Sequence, residues 1–161
     1  AYNLARLFFK KEEYQRSKDY YLEAIERSDD DDDKANYYYE LGIIAQQYFE
    51  NPSEAVRYAS EAAKLKPNWG DPFILMGSAF VAGNSSLGEE FERRTAYWVA
   101  VDMFQKARQV DPTVSEKATG LINEYQAYFP TKEHLFFRSI EEGQSYRVGG
   151  WINRSTTARS K

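Results

Sequence analysis

Two stretches of the chain share one arrangement of small and large residues: Ala55–Pro67, AVRYASEAAKLKP, and Ala100–Pro112, AVDMFQKARQVDP. In both, small or apolar residues recur after four and then three positions, and a proline follows five positions later. This spacing is that of one face of a helix, and proline cannot continue a helix because it lacks a backbone N–H. Each stretch therefore predicts an amphipathic helix that ends just before its proline.

A third copy of the spacing, and a second pattern upstream of each copy, make this arrangement a repeat. The third copy lies near the start of the chain and consists of Ser17, Tyr21, Ala24 and Asp29. The upstream sets also have helical spacing: Ala1, Leu4, Ala5 and Phe8; Tyr38, Leu41 and Gly42; Phe73, Met76, Gly77 and Phe80. Self-similarity at a period of about 20–50 residues is typical of arrays of helical repeats.

The double pattern resembles the tetratricopeptide repeat (TPR), a pair of antiparallel helices that places an aromatic residue and Leu-Gly before a later Ala, Phe, Ala and Pro. The small residues allow close helix crossing, and the large ones fill the space between pairs. Several positions depart from the family pattern: Ala5 stands for Gly, Ser17 for Ala and Asp29 for Pro, and Ala45 and Ala59 replace large aromatics.

The resemblance implies an all-α fold, a TPR superhelix of three helix pairs plus a capping helix, with a small C-terminal β-hairpin. Such arrays need a capping helix because the last pair otherwise leaves an apolar face open. The expected TPR domain covers residues 1–130, and residues 131–161 form a short helix and a β-hairpin tail. The repeats are expected at 1–31, 35–67 and 70–112, and the capping helix at 114–128.

Five aspartates, Asp29–Asp33, lie at the junction of the first two repeats. Calcium loops alternate their carboxylate ligands with spacer residues and contain a turn-forming glycine, and this run has neither feature. We interpret the run as a solvated inter-repeat loop, with a weak cation contact as the alternative. Negative charge just before a helix N-terminus is favourable by about 0.3–1 kcal/mol per group.

The third repeat is longer than the first. Gly77 and Ala100 are 23 residues apart, against 12 at the corresponding positions of the first repeat. Ser86 and Glu89 have the spacing of a capping box, so the second helix of this repeat is expected over residues 87–109. It is either a longer structural helix or an added wall beside a binding surface.

The C-terminal tail changes character and is rich in β-formers. The pattern predicts a hairpin of Ser145–Ile152 against Thr156–Ser160, with a polar turn at Asn153–Ser155. A two-stranded hairpin is marginal in water by itself, so we expect Trp151 to anchor it. The anchor docks either within the chain or on a second molecule.

Within the chain, the expected dock for Trp151 is the capping helix near Tyr125 and Tyr128, or the short helix at Phe136. That short helix is expected over residues 132–139, capped by Thr131. Its apolar residues should dock on the capping helix: Leu135, Phe136 and Ile140. Stretches such as YFPTKEHLFF and SYRVGGWIN resemble the C-terminal ends of uncharacterised, exported bacterial TPR proteins.

The composition limits the possible functions. A net charge of −4 argues against a sequence-independent nucleic-acid binder, and no apolar run reaches the length of a membrane span. The absence of cysteine excludes thiolate metal sites. The chain starts at Ala1 inside a helical pattern, so we interpret it as a fragment that lacks its natural N-terminus. The compartment stays undetermined, and the resemblance to exported proteins favours the periplasm or cell envelope.

No catalytic motif is visible, so we expect a non-enzyme without cofactor or metal. His134 is the single histidine, and its place in a short helix favours an ordinary surface role over a Ser-His-Asp triad. Phosphate-binding loops and His-Glu metal pairs are missing. Adjacent carboxylates such as Glu89 and Glu90 point apart on a helix and are interpreted as solvated surface.

Without a catalytic motif, the candidate functional feature is a binding surface. In TPR arrays the first helix of each pair lines a concave groove. By register, the predicted groove residues are Tyr2, Arg6, Phe9, Asn36, Tyr39, Glu40, Gln46, Gln47, Asp71 and Ser78. Four apolar residues lie in the same register. For these the alternative to lining the groove is burial under the next helix pair: Ile43, Ile74, Leu75 and Val81.

The best-known ligand mode of the family clamps a C-terminal carboxylate with Lys and Asn. Those positions here hold Tyr2, Arg6, Glu40, Asp71 and Leu75. Only Arg6 could donate to a carboxylate, so the resemblance does not imply binding of a chaperone tail. A mixed apolar and amide lining suits an extended or helical peptide instead.

We therefore expect a non-catalytic protein–protein interaction module that is a monomer or weak dimer and binds a peptide or protein segment in the concave groove. The alternative is a structural subunit that assembles through the long third-repeat helix and the β tail. The sequence does not identify the partner.

Overall fold

The computed structural model covers residues 1–161 and is mainly helical, with a small two-stranded antiparallel sheet near the C-terminus. From α1 to α7, each helix packs against the next in the chain. The expected class, helices followed by a small hairpin, is confirmed. The helices are α1 Tyr2–Lys10, α2 Tyr14–Arg27, α3 Asp31–Gln47, α4 Pro52–Leu65, α5 Asp71–Ala82, α6 Glu90–Val110, α7 Ser115–Gln126 and α8 Lys132–Phe137, and the strands are β1 Ser145–Val148 and β2 Arg154–Thr157.

The residues of the repeated spacing lie in the core. All nine helical positions of the three copies are buried: Ser17, Tyr21, Ala24, Ala55, Ala59, Ala62, Ala100, Phe104 and Ala107. Ser17, which replaces the usual alanine, donates its hydroxyl to the carbonyl oxygen of Ala5 at 2.8 Å. The buried polar group is thereby satisfied, so a serine is accommodated between α1 and α2.

Two glycines lie where the helices of a pair cross. A Cβ added to Gly77 would lie 2.5 Å from Cε1 of the Phe104 ring and 3.0 Å from the carbonyl oxygen of Ala100. A Cβ added to Gly42 would lie 2.7 Å from Cδ2 of Leu75. A leucine methyl can rotate away, whereas a buried ring and a helix backbone cannot, so the two sites differ in what they tolerate.

Gly77→Ala is expected to lower the free energy of unfolding by about 2 kcal/mol, because overpacking of up to about 3 kcal/mol outweighs the gain in helix propensity of about 1 kcal/mol. Gly42→Ala is the matched control and should change it by less than about 1 kcal/mol, since Leu75 can move. Urea unfolding followed by circular dichroism measures both. Equal losses in the two variants would contradict the crossing argument.

The acidic run is not a loop over its whole length. Asp31 and Asp32 lie in the first turn of α3, and Asp30 caps this helix by accepting a hydrogen bond from the N–H of Asp33 at 2.9 Å. The loop prediction was wrong for these residues because the first turn of a helix has unpaired N–H groups and a positive dipole end. Both features favour aspartate there, despite its poor propensity in helix interiors.

The long second helix of the third pair, α6, begins at Glu90, later than the predicted residue 87. The prediction of a capping box at Ser86 and Glu89 was also wrong, because the Ser86 hydroxyl donates to the carbonyl oxygen of Gly83 at 3.2 Å. Gly88, which lies between them, has a φ of 110°. Glycine adopts this conformation readily, but it is not helical, so the helix cannot begin before Gly88.

The hairpin forms with shorter strands than predicted, and Tyr146 pairs with Thr156. Its turn spans residues 149–153 rather than Asn153–Ser155, and Arg154 already belongs to β2. Gly150 and Asn153 adopt positive φ angles of 59° and 45°. Glycine and asparagine tolerate this conformation best, so the turn is located by these two residues.

Trp151 anchors the hairpin within the chain, but at a different place from the one predicted. Its indole N–H donates to the carbonyl oxygen of Gly83 at 2.8 Å, and its ring centre lies 5.7 Å from that of Phe80. Gly83 follows the last residue of α5, where carbonyl groups lack helical partners. Trp151 therefore covers the C-terminal end of α5.

The docks that we expected for Trp151 have other partners. Tyr125 and Tyr128 stack on Tyr97, at 5.8 and 5.3 Å between ring centres. The expected docking of Phe136 on the capping helix was wrong too, since this side chain is 79% exposed. Leu135 is the buried residue of α8, because consecutive side chains on a helix point in different directions and Leu135, Phe136 and Phe137 cannot all face inward.

Candidate functional site

Four of the predicted groove residues meet in one open pocket of about 450 Å³, which we call the α1–α3 pocket. Helix α1 supplies one face and α3 supplies a carboxylate, because both helices lie beside α2 in the array. Tyr21 of α2 and Lys10 complete the lining. The pocket residues are Tyr2, Arg6, Phe9, Lys10, Tyr21 and Glu40.

The charged groups of this pocket have no ion pair. None of Arg6, Lys10 and Glu40 lies within 4.0 Å of an opposite charge. The surrounding protein raises the pKa of the Glu40 carboxyl by removing water, and the Arg6 guanidinium opposes that rise. Charges of both signs are therefore free to contact a ligand.

Aromatic rings form the apolar part of the pocket. The Tyr2 ring centre lies 4.9 Å from that of Tyr37 and 6.2 Å from that of Tyr21. Burial raises the pKa of the Tyr21 hydroxyl above its ordinary value, with Glu40 as the next cause, so this group stays a neutral hydrogen-bonding group. The pocket thus combines flat apolar walls with unpaired charges, a combination suited to polypeptide side chains.

Tyr39 directly precedes Glu40 on α3 and packs against a second aromatic side chain. Its ring centre lies 4.7 Å from that of Trp69, and the indole N–H of Trp69 donates to Asp71 at 2.8 Å. Burial raises the pKa of Tyr39 to about 12, with Asp71 and Glu40 as lesser causes. Two predicted groove residues, Tyr39 and Asp71, are therefore joined through an indole that the sequence analysis had not considered.

The other predicted groove residues do not line the α1–α3 pocket. Asn36 and Gln47 are exposed, and Ser78 is half-buried. Gln46 is half-buried as well, and its side-chain oxygen has no hydrogen-bond partner. Among the apolar residues of the same register, Ile74 and Leu75 are buried, whereas Ile43 and Val81 are half-buried.

A second groove, which the sequence analysis missed, runs along α4. It comprises two adjoining cavities of about 530 and 310 Å³ that share Ser60, Lys64 and Arg154. One wall is α4, and the other is formed by α6 and the hairpin. We call it the α4–hairpin groove. The exposed polar face of α4 gave no signal for it, because the opposite wall comes from residues far away in the sequence.

The single histidine has a structural role. His134 Nδ1 accepts a hydrogen bond from the N–H of Thr131 at 3.1 Å, and the Thr131 hydroxyl oxygen accepts one from the N–H of His134. This reciprocal pair is the cap of α8. No group of three or more His, Asp or Glu side chains is placed to hold a metal ion.

No protein-family model matches the chain, and a search of the curated proteins finds no significant match. None of the helices combines the length and apolar character needed to cross a membrane.

Proposed function

We propose that this protein is a non-catalytic protein–protein interaction module of the TPR type, whose three helix pairs form a superhelix that binds an extended peptide in its concave groove. The order of packing supports this, because each helix from α1 to α7 contacts the next. The burial of all nine repeated positions supports it too. Both are features of stacked helix pairs.

The observation that carries the proposal is the α1–α3 pocket. It brings Arg6 and Glu40 together from two separate helices, and neither has an ion pair. A ligand that places a basic side chain against Glu40 and an acidic one near Arg6 would satisfy both. Because the pocket offers Glu40 as well as Arg6, the ligand is an internal segment that carries side chains of both charges rather than a free C-terminus.

The alternative of assembly through the long helix α6 and the tail has less support. The apolar tail residues Val148, Ile152 and Ala158 are buried within the same chain. The surface that such an assembly would need is thus largely occupied by intramolecular contacts.

Glu40→Lys is expected to weaken peptide binding by about tenfold or more, because it replaces the anion that pairs with the basic residue of the ligand. The experiment selects ligands for the unaltered protein from a random heptapeptide library displayed on phage. The affinity of the enriched peptides is then measured by fluorescence polarisation with each variant.

Glu26→Lys is the matched control, because Glu26 is exposed on α2, has no ion pair and undergoes the same change of charge. It should bind like the unaltered protein. Equal affinity of the Glu40→Lys variant, or failure to enrich any peptide, would contradict a ligand site in the α1–α3 pocket.

A further inference from the structure

The α4–hairpin groove contains an arginine without a counter-ion. Arg154 lines both cavities, and its guanidinium donates to the sulfur of Met103 at 3.9 Å and lies 5.1 Å from the ring centre of Phe80. No carboxylate lies within 4.0 Å. A half-buried guanidinium stays charged, so its lost hydration is not recovered from an acidic partner in the chain.

Burial also lowers the pKa of Arg154 from its ordinary value, which agrees with its half-buried position. Asp102, an acidic residue of the groove, already has other partners. It pairs with Arg159 at 2.8 Å and accepts a hydrogen bond from the Thr156 hydroxyl. The chain therefore has no carboxylate of its own available for Arg154.

The charge of the groove is opposite to that of the whole chain. Four cationic side chains line the two cavities against two carboxylates, although the chain carries a net charge of −4. Glu61, the second carboxylate, pairs with Lys64 on the same helix. Lys106, on the wall opposite α4, has no ion pair and makes no side-chain hydrogen bond. Two cations are thus free to receive a negative ligand.

The floor of the groove is apolar. Phe73 and Met76 of α5 and Met103 of α6 line the larger cavity. Methionine side chains adapt to differently shaped partners. The wall on α4 extends from Ser53 to Lys64, which is roughly 16 Å at about 1.5 Å per helical residue. This length fits about five residues of extended chain at about 3.3 Å each.

We propose that the α4–hairpin groove is a second peptide-binding site, which takes an extended segment with an acidic side chain flanked by apolar ones. The carboxylate pairs with Arg154, and the apolar side chains lie on the methionine-lined floor. The apolar floor favours a peptide over a nucleic acid, whose phosphates would leave Phe73 and Met76 uncovered. The site shares no lining residue with the α1–α3 pocket.

The test uses two fluorescein-labelled heptapeptide pools, randomised among Leu, Phe and Met around a central residue that is Glu in one pool and Gln in the other. Fluorescence polarisation should show at least about tenfold tighter binding of the Glu pool. Arg154→Met should remove this preference, and Arg154→Lys should keep part of it, because lysine retains the charge but not the planar fork.

A variant that leaves the hairpin untouched guards against misfolding of the Arg154 variants. Lys106→Glu changes an exposed residue and should weaken binding of the Glu pool by about tenfold. Lys117→Glu, the same change at an exposed position of α7 outside the groove, should leave it unaltered. Glu40→Lys should also leave it unaltered, which separates this site from the α1–α3 pocket.

Four outcomes would overturn the proposal. The first is equal binding of the Glu and Gln pools, and the second is unchanged affinity for the Glu pool in both the Arg154→Met and the Lys106→Glu variant. The third is tighter binding of a single-stranded oligonucleotide than of the Glu pool. The fourth is a concentration-dependent dimer that Lys106→Glu abolishes. The third would assign the groove to nucleic acid and the fourth to a second copy of the chain.

Discussion

Removal of residues 143–161 is expected to lower the free energy of unfolding by at least about 5 kcal/mol, which approaches the whole stability of many domains of this size. The reason is that the tail completes the core. Val148, Ile152 and Ala158 are buried and belong to the same apolar cluster as α5 and α6. The loss of these residues would also expose Trp98 to water.

The measurement is urea unfolding of a chain that ends at Glu142, followed by circular dichroism. Trp151→Ala alone is the companion variant and should lose less, about 3 kcal/mol at most, since the rest of the tail stays in place. Neither loss should depend on protein concentration, because the contacts lie within one chain. A truncated chain with an unchanged melting temperature would show that the tail is peripheral.

Trp98→Ala is expected to lower the free energy of unfolding by about 3–5 kcal/mol, the usual effect of truncating a large buried aromatic side chain. Trp98 is fully buried, and its indole N–H donates to the carbonyl oxygen of Arg159 at 2.7 Å. Its ring also meets that of Tyr146 edge to face, with 5.3 Å between centres. One side chain thus joins α6 to both ends of the tail.

Trp69→Ala is the matched control for this change, because Trp69 is only half-buried and packs on Tyr39. It should cost about 1–2 kcal/mol. Trp98→Phe should fall between the two, since it keeps a ring but leaves the Arg159 carbonyl without its donor. Chemical denaturation of the three variants gives the comparison, and equal losses at positions 98 and 69 would refute the central role of Trp98.

The sequence predicted the parts of the fold that depend on local periodicity. The spacing of Ala55, Ala59 and Ala62 defined a helix that should end before Pro67, and α4 ends at Leu65. Helical periodicity shows in residues that lie three and four positions apart, so a few positions suffice to recognise it. The resemblance to the TPR pattern, rather than periodicity, placed Arg6 and Glu40 on one groove, and both line the α1–α3 pocket.

Features that depend on distant residues could not be predicted in this way. Trp151 satisfies a carbonyl at the end of α5, and nothing near either residue indicates this pairing. Arg154 was assigned to a turn, although it lies in a strand and forms part of a groove with α4. Tyr39 was expected to be a free contact residue, but Trp69, which lies outside the repeated spacing, packs against it.

The tail contacts have a consequence for how the chain folds during synthesis. In a simple repeat array each unit contacts only its neighbours, so folding can start anywhere and spread. Here Gly83 and Trp98 receive their hydrogen-bond partners 68 and 61 positions later in the chain. Helices α5 and α6 therefore complete their packing only after residue 159 has left the ribosome. The contacts among α1 to α4, by contrast, need no residue beyond Leu65.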